Sequence, residues 1–335
     1  MPDALALEFT GLTKDFGRIR AVSDFTARVE PGRVTGFLGP NGAGKTTTLR
    51  MLLGLVRATH GSATIGGRPY AELRHPLRSV GAALEASSFH PGRTGAGHLR
   101  VLAAAAGLPR TRVDETLALV GLSDAAGRKV GGYSLGMRQR LGLASALLGD
   151  PGVLVLDEPS NGLDPEGIRW MRRLLQELAR EGRTVLVSSH LLAEVQQTAD
   201  AVLIISRGQR VFQGGLDDLA DPTEYATVVD APDRDGLLDA LAAAGASVEV
   251  IRGGIRVADR DAAEVGAIAA AAGVALSGLQ RRGPALEEVF LDLVNGTRVH
   301  TPTATDAAAP AEAEAPTEDA PADEDVTTEE RGDLR

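Results

Sequence analysis

Residues 34–55 read VTGFLGPNGAGKTTTLRMLLGL. The apolar run from Val34 to Leu38 has the makings of a buried strand, and TTTLRMLLGL carries its leucines at helical spacing. Between them lies a glycine loop that fits G-x-x-x-x-G-K-[ST], placed between strand and helix as that pattern requires. Glycines let successive backbone N–H groups turn inward at a helix N-terminus, whose dipole favours an anion. On this reading Gly39, Pro40, Asn41, Gly42, Ala43, Gly44, Lys45, Thr46 and Thr47 wrap the phosphates of a nucleotide. Lys45 reaches the β- and γ-phosphates, and the Thr46 hydroxyl ligates Mg²⁺. A plain glycine turn ahead of a helix is the alternative. It is disfavoured because lysine occurs only at Lys14, Lys45 and Lys129, and one of the three falls where the pattern needs it.

A second stretch, VLVLDEPSNGLDP at 153–165, ends an apolar strand with two adjacent carboxylates, Asp157 and Glu158. Packing gives no reason to place two negative charges side by side at a buried strand end. A metal–triphosphate does: an aspartate at a strand end holds Mg²⁺ in phosphate-loop proteins. Successive strand residues face opposite sides, so Glu158 need not share that task and is free to act on water as general base.

Bulk properties narrow the class. At 335 residues the chain is long enough for one large or two modest domains. It has no cysteine, which excludes disulfides and thiolate metal sites. The start, MPDALALEFT, lacks a basic region followed by an apolar run, so no signal peptide is expected. The longest uncharged stretch, which includes residues 265–279 and ends before Arg281, falls short of the roughly 18–20 apolar residues that cross a membrane. The net charge of −10 is local: residues 301–335 hold eleven carboxylates against Arg331 and Arg335. The remainder is near neutral, and with aromatics at 3% neither a basic nucleic-acid surface nor a base-stacking platform is expected.

Three segments separate by pattern. Residues 1–220 interleave apolar strands (34–39, 153–158, 184–189, 201–206) with helices and predict a mainly parallel sheet covered on both faces. A helical subdomain is expected at about 90–150. Residues 225–297 predict a small α+β domain of order β-α-β-β-α-β, ferredoxin-like. Its elements are a strand in YATVVD, a helix ended by Gly245, a hairpin closed at Gly253-Gly254, a helix with Asp261 and Glu264 as capping box, and a strand in VALSGL. The last helix, PALEEVFLDLV, carries Leu286, Val289, Phe290 and Val294 on one face. Residues 298–335 repeat Ala, Pro, Glu, Asp and Thr and predict an acidic disordered tail.

A third mark, YSLGMRQRLGLASAL at 133–147, precedes the carboxylate strand. Together with the glycine loop and the DE strand, it makes residues 5–215 resemble the ATP-binding cassette (ABC) subunit of transporters, whose signature begins LSGGQ. The resemblance implies ATP and Mg²⁺ as cofactors and the fold of a cassette with mixed sheets. It places Phe16 on the adenine with Val22 beside it, and NGLD with Asp164 as the D-loop. His190 becomes the switch histidine beside the catalytic base Glu158, and Thr46 and Asp157 become the metal residues. Ser134, Leu135, Gly136 and Met137 become the signature, which completes a second subunit's site in trans. Alone, Phe16 and His190 would sooner be core or surface residues, and Asp164 a turn cap.

The match departs from the family twice. Leu135 and Met137 replace the glycine and glutamine of the signature, and Glu85 stands at the glutamine of the Q-loop. These variants, with the LEEVF segment, resemble bacterial drug and antibiotic exporters of the daunorubicin- and bacitracin-resistance type. The resemblance implies an ATPase that powers export through a separately encoded multi-span permease, paired with a second cassette (identical or paralogous), peripheral at the cytoplasmic face of the membrane, with no nucleic-acid partner. A soluble ABC ATPase acting on ribosomes or nucleic acid is the alternative. It is disfavoured by the single cassette, the lack of a heptad insertion and the neutral body. A nucleotide-gated interaction module is disfavoured by Glu158 and His190.

Overall fold

The computed structural model describes residues 4–84, 89–219, 225–283 and 286–298; the acidic tail lies outside them. The first half runs β1 (Leu7–Phe16), β2 (Ile19–Val29), β3 (Val34–Leu38), α1 (Lys45–Leu52), β4 (His60–Ile65), α2 (Pro76–Ser79), β5 (Val80–Ala83), α3 (Gly95–Ala105), α4 (Thr111–Leu119) and α5 (Leu135–Leu147). Then follow β6 (Val153–Asp157), α6 (Pro165–Arg180), β7 (Thr184–Ser189), α7 (Leu192–Thr198), β8 (Ala201–Ser206) and β9 (Gln209–Gly215). The last part is β10 (Ala226–Asp230), α8 (Arg234–Ala243), β11 (Val248–Ile251), β12 (Gly254–Val257), α9 (Ala262–Ala271), β13 (Gly278–Arg282) and α10 (Leu286–Asn295).

The central sheet has the order β5-β6-β7-β3-β8-β9, parallel except for β9, which pairs antiparallel with β8. Its strands are apolar throughout because both faces are covered. In β6, Val153 and Val155 enter one core, while Leu154 and Leu156 enter another with α3 to α6. All four are fully buried, each contributing about 1.5–3 kcal/mol relative to an exposed side chain. On the valine side sits a three-stranded antiparallel sheet, β2-β1-β4. Phe9, Phe25 and Phe37 tie the two sheets together, with ring centroids 5.5 and 5.8 Å apart.

Helices α3, α4 and α5 share one core through Leu99, Val113, Leu117 and Leu141. Tyr133 anchors the chain ahead of α5: it is buried, and its hydroxyl donates to Ala125 O at 2.7 Å.

The C-terminal sheet has the order β11-β12-β10-β13, all antiparallel, with a separate core of Val229, Leu237, Leu241, Ile255, Val257 and Val265 under α8 and α9. This is the strand order of a ferredoxin-like unit. Asp261 and Glu264 form both bonds of the capping box on α9. Two boundaries differ from expectation. The hairpin turns at Arg252-Gly253, because Ile251 pairs with Gly254. The last strand starts at Gly278 rather than Val274: Val274 N still bonds Ala269 O at the end of α9, and Val274 and Leu276 pack into the core. Helix α10 returns to the cassette, seating Val289, Phe290 and Leu293 against Leu38, Val195 and Phe212.

Candidate functional site

The glycine loop leaves β3 and enters α1. Gly44 has φ 111°, and a Cβ there would lie 2.6 Å from Ala21 O, so only glycine fits. Lys45 is 7% exposed, and its ammonium donates to Gly39 O at 2.6 Å and Pro40 O at 3.3 Å. Burial pushes its pKa down, opposed by the nearby Glu158 and Asp157 carboxylates. Pro40, Asn41 and Gly42 are exposed, whereas Ala43 is buried. Val22 corrects the sequence reading: it is fully buried beneath Gly44 and supports the loop without presenting a surface. Phe16 is 49% exposed, with the Lys14 ammonium 4.9 Å from its ring centroid.

Strand β6 brings Asp157 to the same place. Thr46 Oγ1 donates to Asp157 Oδ2 at 2.7 Å, and the Ser188 hydroxyl donates to Asp157 Oδ1. Glu158 is not the next strand residue that alternation assumed: it lies past the end of β6 with φ 49°. Its backbone N–H donates to Ser188 Oγ at 3.0 Å, which stabilises that left-handed turn. The Glu158 side chain then lies between two cationic or proton-bearing partners. Lys45 Nζ is 3.7 Å from Oε1, and His190 Nδ1 is 2.8 Å from Oε2.

The structure thus brings Lys45, Thr46, Asp157, Glu158 and His190 together. Ser188 was missed, although Asp157 and Ser188 are register partners on β6 and β7, two residues before His190. Glu194 was missed too: its Oε2 accepts from Ser160 Oγ at 2.6 Å and from Ser189 Oγ at 3.4 Å. His190 precedes α7, so no helical spacing links Glu194 to it, and the contact is legible only in the folded chain.

The signature residues stand apart from this cluster. Ser134 is the N-cap of α5; it is exposed, and its hydroxyl accepts from Met137 N at 3.2 Å. Leu135 is 50% exposed, while the Met137 side chain packs into the helical core. Asp164 caps α6, accepting from Gly167 N at 2.8 Å with Pro165 in the first turn. Glu85 lies outside the described residues.

Comparison with known proteins identifies the family. Residues 22–161 match the family described as ABC transporter, and residues 226–287 match a domain of unknown function. The chain is 43% identical over 216 residues to a bacitracin transport ATP-binding protein of Bacillus licheniformis, covering 64% of this chain and 71% of that one. It is 41% identical over 242 residues to an uncharacterized ABC transporter ATP-binding protein of Bacillus subtilis, covering 68% and 79%. The chain belongs to the ABC transporter ATP-binding subunits. A solved ATP-binding subunit of an ABC transporter superimposes with a TM-score of 0.59 at 28% identity, covering 64% of this chain and 91% of that one.

As an ABC subunit the chain binds and hydrolyses ATP. The oxygens of Thr46 and Asp157, adjacent and hard, fit Mg²⁺ rather than a softer ion. Among the described residues no helix is long and apolar enough to cross a membrane.

Proposed function

We propose that this ABC subunit powers export of peptide antibiotics or other amphipathic compounds through a separately encoded multi-span permease, at the cytoplasmic face of the membrane. The named bacitracin relative supports the cargo class. The observation that carries the chemistry is the Glu158 carboxylate held between Lys45 and His190.

Lys45 and the N–H groups opening α1 hold the β- and γ-phosphates. Thr46 and Asp157 would hold Mg²⁺, which would neutralise charge on the phosphate oxygens. Glu158 takes the proton from the attacking water. An ionised carboxylate only accepts hydrogen bonds, so Nδ1 of His190 carries the hydrogen and fixes the orientation of Glu158. Phe16 stacks on the adenine.

Ser134 does not turn to its own chain's phosphate loop; it is exposed at the start of α5. A head-to-tail pair of cassettes would bring each Ser134 and its helix N-terminus to the partner's γ-phosphate, so that ATP closes the pair and hydrolysis releases it. An open groove of about 460 Å³ beside β5, lined by Leu53, Leu55, Tyr70, Leu84, Phe89 and His98, is the dock for a cytoplasmic helix of the permease. Ser134→Arg tests the paired arrangement. Loss of turnover with ATP binding kept is expected, and unchanged turnover would contradict it.

A further inference from the structure

The signature helix opens on Leu135, and the Leu135 side chain lies on the loop that follows Glu158. A methyl group on Gly162 would fall 2.2 Å from Leu135 Cδ2 and 2.4 Å from its Cγ. Gly162 also has φ 79°, so this position rejects a side chain on two separate grounds. The contact continues alongside: a methyl on Gly136 would sit 3.2 Å from Gly162 O and 3.5 Å from Leu163 Cδ2. Leu135 remains 50% exposed, so core packing alone does not account for a large apolar side chain there.

The loop beneath Leu135 is tied to the backbone of the residue that carries the catalytic carboxylate. Asn161 N donates to Glu158 O at 3.2 Å, and Leu163 N to Ser160 O at 3.1 Å. Ser160 Oγ is held by Glu194 at 2.6 Å, and Asp164 is fixed as the cap of α6. With its far end pinned and its near end hydrogen-bonded to Glu158, the loop has little freedom to absorb a change at Gly162. Such a change passes to the left-handed turn at Glu158.

We propose that Leu135 is a positioning residue for hydrolysis: seated on Gly162, it holds the 159–164 loop so that the Glu158 carboxylate stays between Lys45 and His190. Leucine at 135 and glycine at 162 are then a matched large–small pair, which accounts for the departure of Leu135 from the family's signature glycine. Because α5 shares a core with α3 and α4, a tilt of these helices also shifts Leu135 on the loop. The inference rests on Glu158 being the general base.

The test is a double-mutant cycle on the full chain, reading ATPase kcat and KM and equilibrium ATP affinity for wild type, Leu135→Ala, Gly162→Ala and the double variant. Leu135→Ala is expected to lower kcat about fivefold in the wild-type background and to raise it in the Gly162→Ala background, with ATP affinity unchanged throughout. The backbone strain of a residue at φ 79° is common to Gly162→Ala and the double variant, so it cancels. Leu135→Met, which keeps the volume, is expected to restore most of the turnover lost in Leu135→Ala. If Gly162→Ala does not fold, Gly162→Asn, which tolerates positive φ, replaces it. A Leu135→Ala effect of the same sign and size in both backgrounds would overturn the inference, as would a change confined to ATP affinity. Glu158→Gln separates the two levels. Retained turnover in that variant defeats the general-base reading, whereas lost turnover with an additive cycle defeats only the role of Leu135.

Discussion

His190 Nδ1 lies 2.8 Å from Glu158 Oε2 although 32 residues separate them in sequence. The contact exists because β6 and β7 are parallel neighbours in register, Asp157 beside Ser188, so that the residues leaving both strands meet at one edge. Removing the imidazole leaves the carboxylate free to rotate away from the water it must face. His190→Ala is expected to lower kcat about 10²-fold with little change in ATP affinity, the signature of a group that acts in the transition state. Steady-state kinetics beside equilibrium binding checks the split; an equal loss in both would mean that His190 only helps to hold ATP.

Ser188 serves both acidic residues, donating to the Asp157 carboxylate and accepting from the Glu158 backbone N–H at 3.0 Å. Ser188→Ala orphans a buried group at a cost of about 1–3 kcal/mol. The expected outcome is a lower melting temperature, a roughly tenfold lower kcat and a higher Mg²⁺ requirement, read from ATPase titrated with magnesium. Full activity at unchanged magnesium dependence would remove Ser188 from the site.

Lys45 gives a pH dependence with two opposite signs. Its pKa in the folded chain is lowered by burial, with Glu158 and Asp157 pulling the other way. Phosphate binding needs the ammonium, so ATP affinity should be full near neutrality. It should decline with rising pH earlier than an ordinary lysine would allow. The unfolded chain binds this proton more tightly than the folded one, so the contribution of Lys45 to stability rises with pH over the same window. ATP affinity and thermal midpoint, measured between about pH 7 and 10 for wild type and Lys45→Met, separate the two.

Asp261 caps α9 in the C-terminal sheet, far in function from the phosphate loop. Asp261→Ala removes the capping box and is expected to cost about 1 kcal/mol of stability. ATPase activity of the folded chain should be unaltered, and a drop in kcat would tie this sheet to the catalytic cycle.

Much of the site was legible because its parts are local. The glycine loop, the strand-end carboxylates and the histidine after the next strand each sit in a short stretch whose spacing dictates its form. What escaped reading depends on tertiary register or backbone sign. The left-handed turn at Glu158 replaces the alternation a strand would impose, and only neighbouring β7 supplies the Ser188 that stabilises it. Val22 looked placed beside the adenine but is buried, because Gly44 lets the loop close over it. In the C-terminal sheet the apolar VALSGL stretch misled: Val274 and Leu276 fill a core from a loop, and the pairing strand is the exposed GLQRR.

The most direct test of the account is Glu158→Gln, which keeps shape and removes the base. ATP binding should be retained, turnover should fall about 10²–10⁴-fold, and ATP should accumulate on a paired species detectable by size. Turnover near the wild-type rate would contradict the assignment of Glu158, and with it the central role given to the Lys45–Glu158–His190 cluster.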